Sequence, residues 1–587
     1  MKIRYSTTIL QKFVSKTSSM IFENFLNKTV STREKRLIFL HFLKAQQVIH
    51  IFFFIYFYIL NLISICLFFK LFSNLENKKC YEIFTYLNKF KFLNSNKIVE
   101  LIHAISLLVT EGNEKILIEK KSNFLIKDNS FIENIVIGSG PSGSITALEL
   151  KKNKLDTLII EQGYKYSLPK TKHPGNEFLY KWKFSGLSGA IGNPELQYAS
   201  AECYGGGSEI NSGLYHEIDN RFVKEISKKN GLKIKADSFF LNEITDNDEI
   251  EKKPLIQLRD YFKEGAKKIN YKNEDIKRFI KKEEKYISKN SMTETLLKQY
   301  EKLKGKFILG YKVTSISEEK NKCKITLQKR NEKISIYCTN LFVCCGAPYT
   351  LNLLKKSKII NQNINDNFHF HPMFKVIAKF PKKVNDEESL DVISSQITEF
   401  YPDFIFGNAA SGKKFLKIAT FNDEKGYEDV EKNFEYMSIF HATFSIGKCK
   451  LKKIPFINEP LAFHKLDKEE VLKIKDGIKK LINFLFICGA EYIYLLNEKI
   501  TEYNEIKIEK ILQKNKINLS AVHLLGGLSF GSNKDCPLNI YGKVKNINSN
   551  IFVNDSSLIT ENLLKNPQGV ILTIAKNNID NFINLNK

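Results

Sequence analysis

The sequence predicts an α/β protein, with a Rossmann-like domain interleaved with a sheet-based α+β domain behind a helical N-terminal extension. Three observations predict it. Residues 132–163 read as strand, glycine turn, helix, strand and acidic residue. Short apolar runs suited to strands recur at Tyr311–Ser317, Cys323–Gln328 and Leu341–Gly346, and again before Asp555. Ahead of residue 130, apolar residues repeat at helical spacing, as in Tyr81–Phe92 and Ile98–Leu108.

The β-branched run ending at Ile137 suits a buried parallel strand. Gly138, Gly140 and Gly143 then fall in the spacing G-x-G-x-x-G. The first permits a tight turn, the second lets a pyrophosphate approach the backbone, and the third lets helix and strand pack closely. Ser139, Pro141 and Ser142 complete the turn and open a helix running to Lys152, whose N-terminal N–H groups would face that pyrophosphate. Leu158–Ile160 forms the second strand. Glu161 ends it, about 20 residues past the glycines, where a carboxylate accepts hydrogen bonds from ribose hydroxyls. This is a dinucleotide site, open at this point to NAD or FAD.

The chain has 587 residues and a formal charge of +26. Its bases are mostly scattered lysines, and zinc-finger spacing, a basic helix and aromatic RNA-binding motifs are all lacking, which argues against a nucleic-acid partner. Ten cysteines without a C-x-x-C pair fit a reducing compartment. Within the extension, residues 1–129, helical patterning surrounds Thr32–Gln47. The uncharged run Val48–Phe69 has the length of a membrane span, and lies too far from the start for a signal peptide. Lysines flank it on both sides, at Lys44 and at Lys70, Lys78 and Lys79, so charge sets no orientation. The readings are a span or a buried or one-leaflet helix, in a cytoplasmic or membrane-associated protein. Lys120–Ser130 is a polar linker.

A second glycine loop, Cys203–Gly213, holds Gly206, Gly207, Ser208 and Asn211. Further on come His523-Leu-Leu-Gly-Gly-Leu-Ser-Phe-Gly531, then Asp555-Ser556-Ser557, then Asn566-Pro567-Gln568-Gly569. With both glycine loops and these C-terminal elements in order, the chain from about residue 130 resembles the glucose–methanol–choline family of FAD oxidoreductases. Phe530 stands where that family usually has Met, and Ser556 where it has Ala. The resemblance implies that the nucleotide is FAD. It implies that Gly206, Gly207, Ser208 and Asn211 line it, that the Val313 backbone passes the adenine, and that Asp555 and Ser556 meet the ribityl or diphosphate region. The helix from Gln568, after Pro567, would face the flavin pyrimidine. Residues 130–215, 291–368 and 516–587 would form the FAD-binding domain, with 216–290 and 369–515 the substrate domain.

Oxidising an alcohol removes a hydride from carbon and a proton from oxygen. The proton needs a base with a pKa near neutrality, which points to His523. Asn566 can hold the hydroxyl and steady developing negative charge without competing for the proton. The resemblance implies this His/Asn pairing, a small-molecule alcohol as substrate, with the hydrophobic extension pointing to an apolar one, and oxygen, a quinone or a cytochrome as electron acceptor. Two alternatives stand: a non-oxidative lyase on the same fold, and a membrane-attached binding protein with a degenerate nucleotide site. His369 and His371 point the same way if both lie on a strand, but no second Cys/His cluster accompanies them. No metal site is expected, and the His-Pro pair reads as a structural junction. Tyr215, His216 and His441 are further pocket candidates.

Overall fold

Five short parallel strands build the sheet that anchors the nucleotide unit. They are β1 (Asn134–Ile137), β2 (Thr157–Glu161), β3 (Lys306–Leu309), β4 (Asn340–Val343) and β5 (Asn550–Val553), arranged 3-2-1-4-5. The computed structural model describes residues 2–25, 29–89, 95–110, 117–119, 121–167, 174–231, 234, 253–282, 287–361, 364, 367–386, 391–420, 423–455, 457, 459–561 and 563–586. Every residue of β1, β2 and β4 is buried, because helices cover one face of the sheet and a three-stranded antiparallel layer covers the other. The glycine helix, Pro141–Lys152, packs against the C-terminal helix, Gln568–Leu585. An asparagine ladder closes one end of the sheet: Asn340 donates to Asn134 at 3.0 Å, and Asn550 donates to Asn340 at 2.9 Å. Between β3 and β4 lies an antiparallel meander of Lys312–Glu319, Lys322–Lys329 and Glu332–Cys338. Its first two strands are the expected hairpin; the third was not read from the sequence.

The substrate unit is a fourteen-stranded sheet inserted mainly between β4 and β5. At its centre, Met373–Lys379 pairs antiparallel with Met437–Phe444, which pairs with Phe404–Ala409. All eight residues of Met437–Phe444 are buried. One face packs on the long helix Lys468–Ile487, which begins at a capping box of Asp467 and Glu470. Four short strands of this sheet, Gly189–Ile191, Leu196–Tyr198, Leu519–Ala521 and Leu524–Gly526, come from segments assigned in sequence to the nucleotide unit. They are three residues each, too short to show a period.

The N-terminal extension is a helical layer with a core of its own, centred on Phe13, Phe22, Phe42, Phe53, Tyr56 and Phe84. It docks on the rest of the chain by polar contacts. Lys44 Nζ donates to the Leu179 carbonyl at 2.6 Å, His41 meets Ser185 at 2.7 Å, and Lys414 Nζ donates to the Thr110 carbonyl at 2.9 Å. Gln47–Phe68 is one helix, long and apolar enough to cross a membrane. Phe53, Tyr56, Phe57, Leu60 and Ser64 are buried against the layer, whereas Ile51, Ile55, Tyr58, Leu62 and Ile65 are exposed. Asn61 turns the chain back at its end, donating to the Phe57 carbonyl and accepting from Phe72 N–H, each at 3.0 Å.

Candidate active site

The glycine turn after β1 is tight for a reason visible in the backbone. Gly138 has φ +98°, and a Cβ there would lie 2.4 Å from the Cys344 carbonyl oxygen. A Cβ on Gly143 would lie 2.0 Å from the Gly138 carbonyl oxygen, so this glycine serves helix–strand packing and does not line the cavity. Gly140 differs: its only close neighbour is Gly206 Cα, at 3.8 Å, an ordinary contact. Gly206 in turn has φ +56° and faces Gly140 so closely that a Cβ would sit 2.6 Å from its Cα. The two glycine loops, 66 residues apart, therefore meet back to back.

Ser139 fastens them. Its hydroxyl donates to Glu161 Oε2 at 2.7 Å and accepts from Gly205 N–H at 3.1 Å. Its N–H also donates to Glu161 Oε2, at 3.1 Å, while Oε1 accepts from Gly163 N–H at 2.8 Å. Glu161 was expected to serve ribose hydroxyls; in the structure it first holds the loops together, while still lining the cavity. Burial pushes its pKa up, against these three donors.

Around this clamp lies a cavity of about 810 Å³. Gly138, Ser139, Gly140, Pro141, Ser142, Glu161, Gly206, Gly207, Asn211, Val313, Asp555, Ser556, Pro567 and Gln568 all line it. Ser208 does not. It is buried in its own loop, its hydroxyl donating to the Gly205 carbonyl at 2.8 Å and accepting from Met292 N–H at 3.0 Å. Asp555 accepts from Gly346 N–H at 2.8 Å, Thr350 Oγ1 at 2.5 Å and Ser557 N–H at 2.8 Å. The Ser556 hydroxyl accepts from Ala347 N–H at 3.1 Å. These two side chains thus splice the end of β5 to the end of β4. Asn211 donates to Gln568 Oε1 at 2.5 Å, joining the second glycine loop to the C-terminal helix.

A larger cavity, about 2100 Å³, lies between the substrate sheet, residues 174–214 and the N-terminal helices. The two cavities share Ala199, Ile210, Asn211, Val522 and His523. Asn566 lines only the larger one, and its neighbours Pro567 and Gln568 only the smaller. His441 also lines the larger cavity, accompanied by Gln396, to which His216 is bonded at 3.0 Å. Tyr215 is packed in the apolar core against Phe279.

His523 stands at the junction with a partner the sequence did not reveal. His371 Nε2 lies 2.5 Å from His523 Nδ1, and His371 Nδ1 lies 3.1 Å from the Leu563 carbonyl oxygen. His371, read from sequence as a structural junction, is thus part of the site. A carbonyl only accepts, so His371 Nδ1 must donate. Burial pushes the His371 pKa down to about 4, so the ring is neutral at pH 7 and its Nε2 is bare. That nitrogen accepts from His523 Nδ1–H, which leaves His523 Nε2 with a free lone pair. Burial and then the His371 ring hold the His523 pKa well below the ordinary value.

The sequence profile of the GMC oxidoreductase family matches residues 133–373. Over this stretch the chain is a GMC oxidoreductase. It is 25% identical over 473 residues to an uncharacterized GMC-type oxidoreductase of Sinorhizobium fredii, covering 75% of this chain and 92% of that one. It is 21% identical to a long-chain-alcohol oxidase of Arabidopsis thaliana, over 75% of this chain and 67% of the relative. Among solved structures, pyridoxine 4-oxidase from Mesorbium loti superposes with a TM-score of 0.58 at 12% identity, over 77% of this chain and 99% of that one. Formate oxidase from Aspergillus oryzae superposes with a TM-score of 0.61 at 12% identity, over 78% and 98%. The cofactor of this GMC oxidoreductase is FAD. The smaller cavity fits it: Cβ positions at Gly207 and Gly346 meet nothing within 4 Å, so these backbones are bare towards open space.

The contrast between two glycines is testable. Gly140→Val should leave the protein folded, with an unchanged melting temperature, but colourless for want of retained FAD. Gly143→Val should abolish soluble protein, because the clash is with backbone. A yellow Gly140→Val protein would contradict the placement of the cofactor.

Proposed function

We propose that this GMC oxidoreductase oxidises an alcohol, with His523 as general base and Asn566 as the hydroxyl-holding group. The observation that supports this is the place of His523, on the boundary of the two cavities with a free Nε2. FAD, when bound in the smaller cavity, supplies the hydride acceptor. His523 Nε2 takes the hydroxyl proton as the hydride leaves carbon. The amide of Asn566 holds the alcohol oxygen and stabilises its developing charge. His371 is a positioning residue: by accepting from Nδ1–H it keeps the lone pair on Nε2. Gly138, Gly140, Gly206, Gly207 and Glu161 would hold the diphosphate and ribose, with Asp555, Ser556, Pro567 and Gln568 towards the flavin. An FAD-binding and a substrate domain would divide the chain, with the strands at 189–191, 196–198, 519–521 and 524–526 on the substrate side, and oxygen, a quinone or a cytochrome completes the cycle.

We further propose that the N-terminal helix seats the protein on one leaflet of a membrane without crossing it. Ile51, Ile55, Tyr58, Leu62, Ile65 and Phe69 follow one another every three or four residues, so they form a single exposed stripe. Exposed Lys70, Lys78 and Lys79 stand at its end, where they would meet anionic headgroups. Val48 and Ile49, at the start of the same helix, line the larger cavity, which gives a bilayer-dissolved alcohol a path inward.

Steady-state turnover with an artificial electron acceptor tests the chemistry. His523→Ala should keep FAD and lose about 10²- to 10⁴-fold in kcat; undiminished turnover would remove His523 as base. A base must be unprotonated, so kcat/KM should hold at high pH and fall only below the ordinary His pKa of about 6.5. His371→Ala should move this limb to higher pH, since it removes a neighbour that lowers the pKa; an unmoved limb would make His371 merely structural. For the membrane seat, wild-type protein should float with anionic vesicles and be released by alkaline carbonate. An Ile55→Asp, Leu62→Asp variant should stay unbound, and resistance of the wild type to carbonate would indicate a span.

A further inference from the structure

The larger cavity contains a cation that the oxidation chemistry does not use. Lys181, Arg278, Lys281, Lys289 and Lys375 line it. Lys181 faces Glu177 at 3.3 Å and Glu209 at 3.7 Å, Arg278 is paired with Asp391, and Lys281 lies 3.7 Å from Glu294. Lys289 donates to the Asn211 carbonyl at 2.7 Å. Among the described residues, Lys375 has neither an acid nor a hydrogen-bond acceptor in reach. Its side chain is exposed, and the surface it exposes is part of the cavity wall. Burial alone lowers its pKa, and no carboxylate acts in the other direction. An ammonium exposed to a cavity without a counter-charge in reach is open to pairing with an anion that enters.

The position of Lys375 along its strand is equally informative. Phe374, Val376 and Ala378 point into the core beneath the sheet. Lys375 belongs to the opposite, cavity-facing set, in register with His441 on the neighbouring strand, which also lines the cavity. His371, Met373 and Lys375 follow at two-residue steps, all lining the cavity. Four residues of nearly extended chain separate His371 from Lys375, about 13 Å. The row thus has at one end His371, bonded to the proposed base His523, an apolar Met373 in the middle and an unmatched cation at the other end.

We propose that Lys375 binds a carboxylate at the far end of the substrate, so that the alcohol oxidised is a hydroxycarboxylic acid with several carbons between the two groups. A carboxylate is favoured over a phosphate because a single ammonium, with only the neutral His441 beside it, matches one negative charge. The reading rests on the proposed alcohol oxidation, and its substrate keeps the apolar middle that a bilayer-dissolved compound would have.

Two measurements on the FAD-loaded full chain separate the proposals. Calorimetric titration with suberate, which has no hydroxyl to oxidise, reads the anion subsite alone. Wild type and Lys375→Arg should bind it, and Lys375→Met should bind about 10- to 100-fold more weakly. Turnover reads the preference: kcat/KM for 8-hydroxyoctanoate should exceed that for 1-octanol, and the ratio should fall about 10- to 100-fold in Lys375→Met and recover in Lys375→Arg. Retained FAD absorbance checks that each variant is folded, and Lys375→Gln serves if the methionine variant is not. Suberate binding that depends on Lys375, without oxidation of any alcohol, would uphold the subsite and sink the oxidation. Equal binding by wild type and Lys375→Met, no binding by wild type, or a preference for 1-octanol would overturn the proposal.

Discussion

The site depends on one hydroxyl. Ser139 Oγ donates to Glu161 and accepts from Gly205, so the end of β1, the end of β2 and the second glycine loop share a single buried oxygen. Because a buried hydroxyl is costly to leave unpaired, this three-way contact fixes how the loops approach. Gly140 and Gly206 can then face each other without side chains between them, and the space they leave is where a diphosphate backbone contact requires bare main chain. Asp555 repeats the device on the other side, gathering Gly346, Thr350 and Ser557 around one carboxylate.

From that clamp the rest follows by connectivity. The second loop carries Asn211, which binds Gln568 and so places the start of the C-terminal helix. Asn566 precedes that helix by two residues and lines the larger cavity. The substrate sheet brings His371 beside His523 on adjacent strands, with Phe370 paired to Leu524 and Met373 to Ser520. The position of the cofactor cradle and the tautomer of the histidine pair are therefore set by different domains, and they meet only at the boundary between the cavities.

What could be read from the sequence and what could not divides on locality. The glycine turn, helix and Glu161 lie within one βαβ unit, and each residue type there answers a local steric demand. The second loop and the His523 and Asn566 segments were legible through their resemblance to a family. The bonding of Ser208 within its own loop was not legible, because a motif position does not tell which way a hydroxyl points. The pairing of His371 with His523 spans 152 residues and leaves no periodic signal. Lys375 was invisible for another reason: among 90 bases a single strand lysine reads as ordinary surface, and only the topology shows that its face lines the cavity. The helix Gln47–Phe68 could be read as apolar, but its division into a packed and an exposed face required the layer beneath it.

The account stands on reduction of bound FAD by an alcohol. The direct measurement is anaerobic mixing of the FAD-loaded protein with a panel of primary alcohols and hydroxycarboxylates while flavin absorbance is followed. The account predicts bleaching by at least one of them, with an equal amount of carbonyl product. Turnover without bleaching, or protein that holds FAD and responds to none of them, would contradict it.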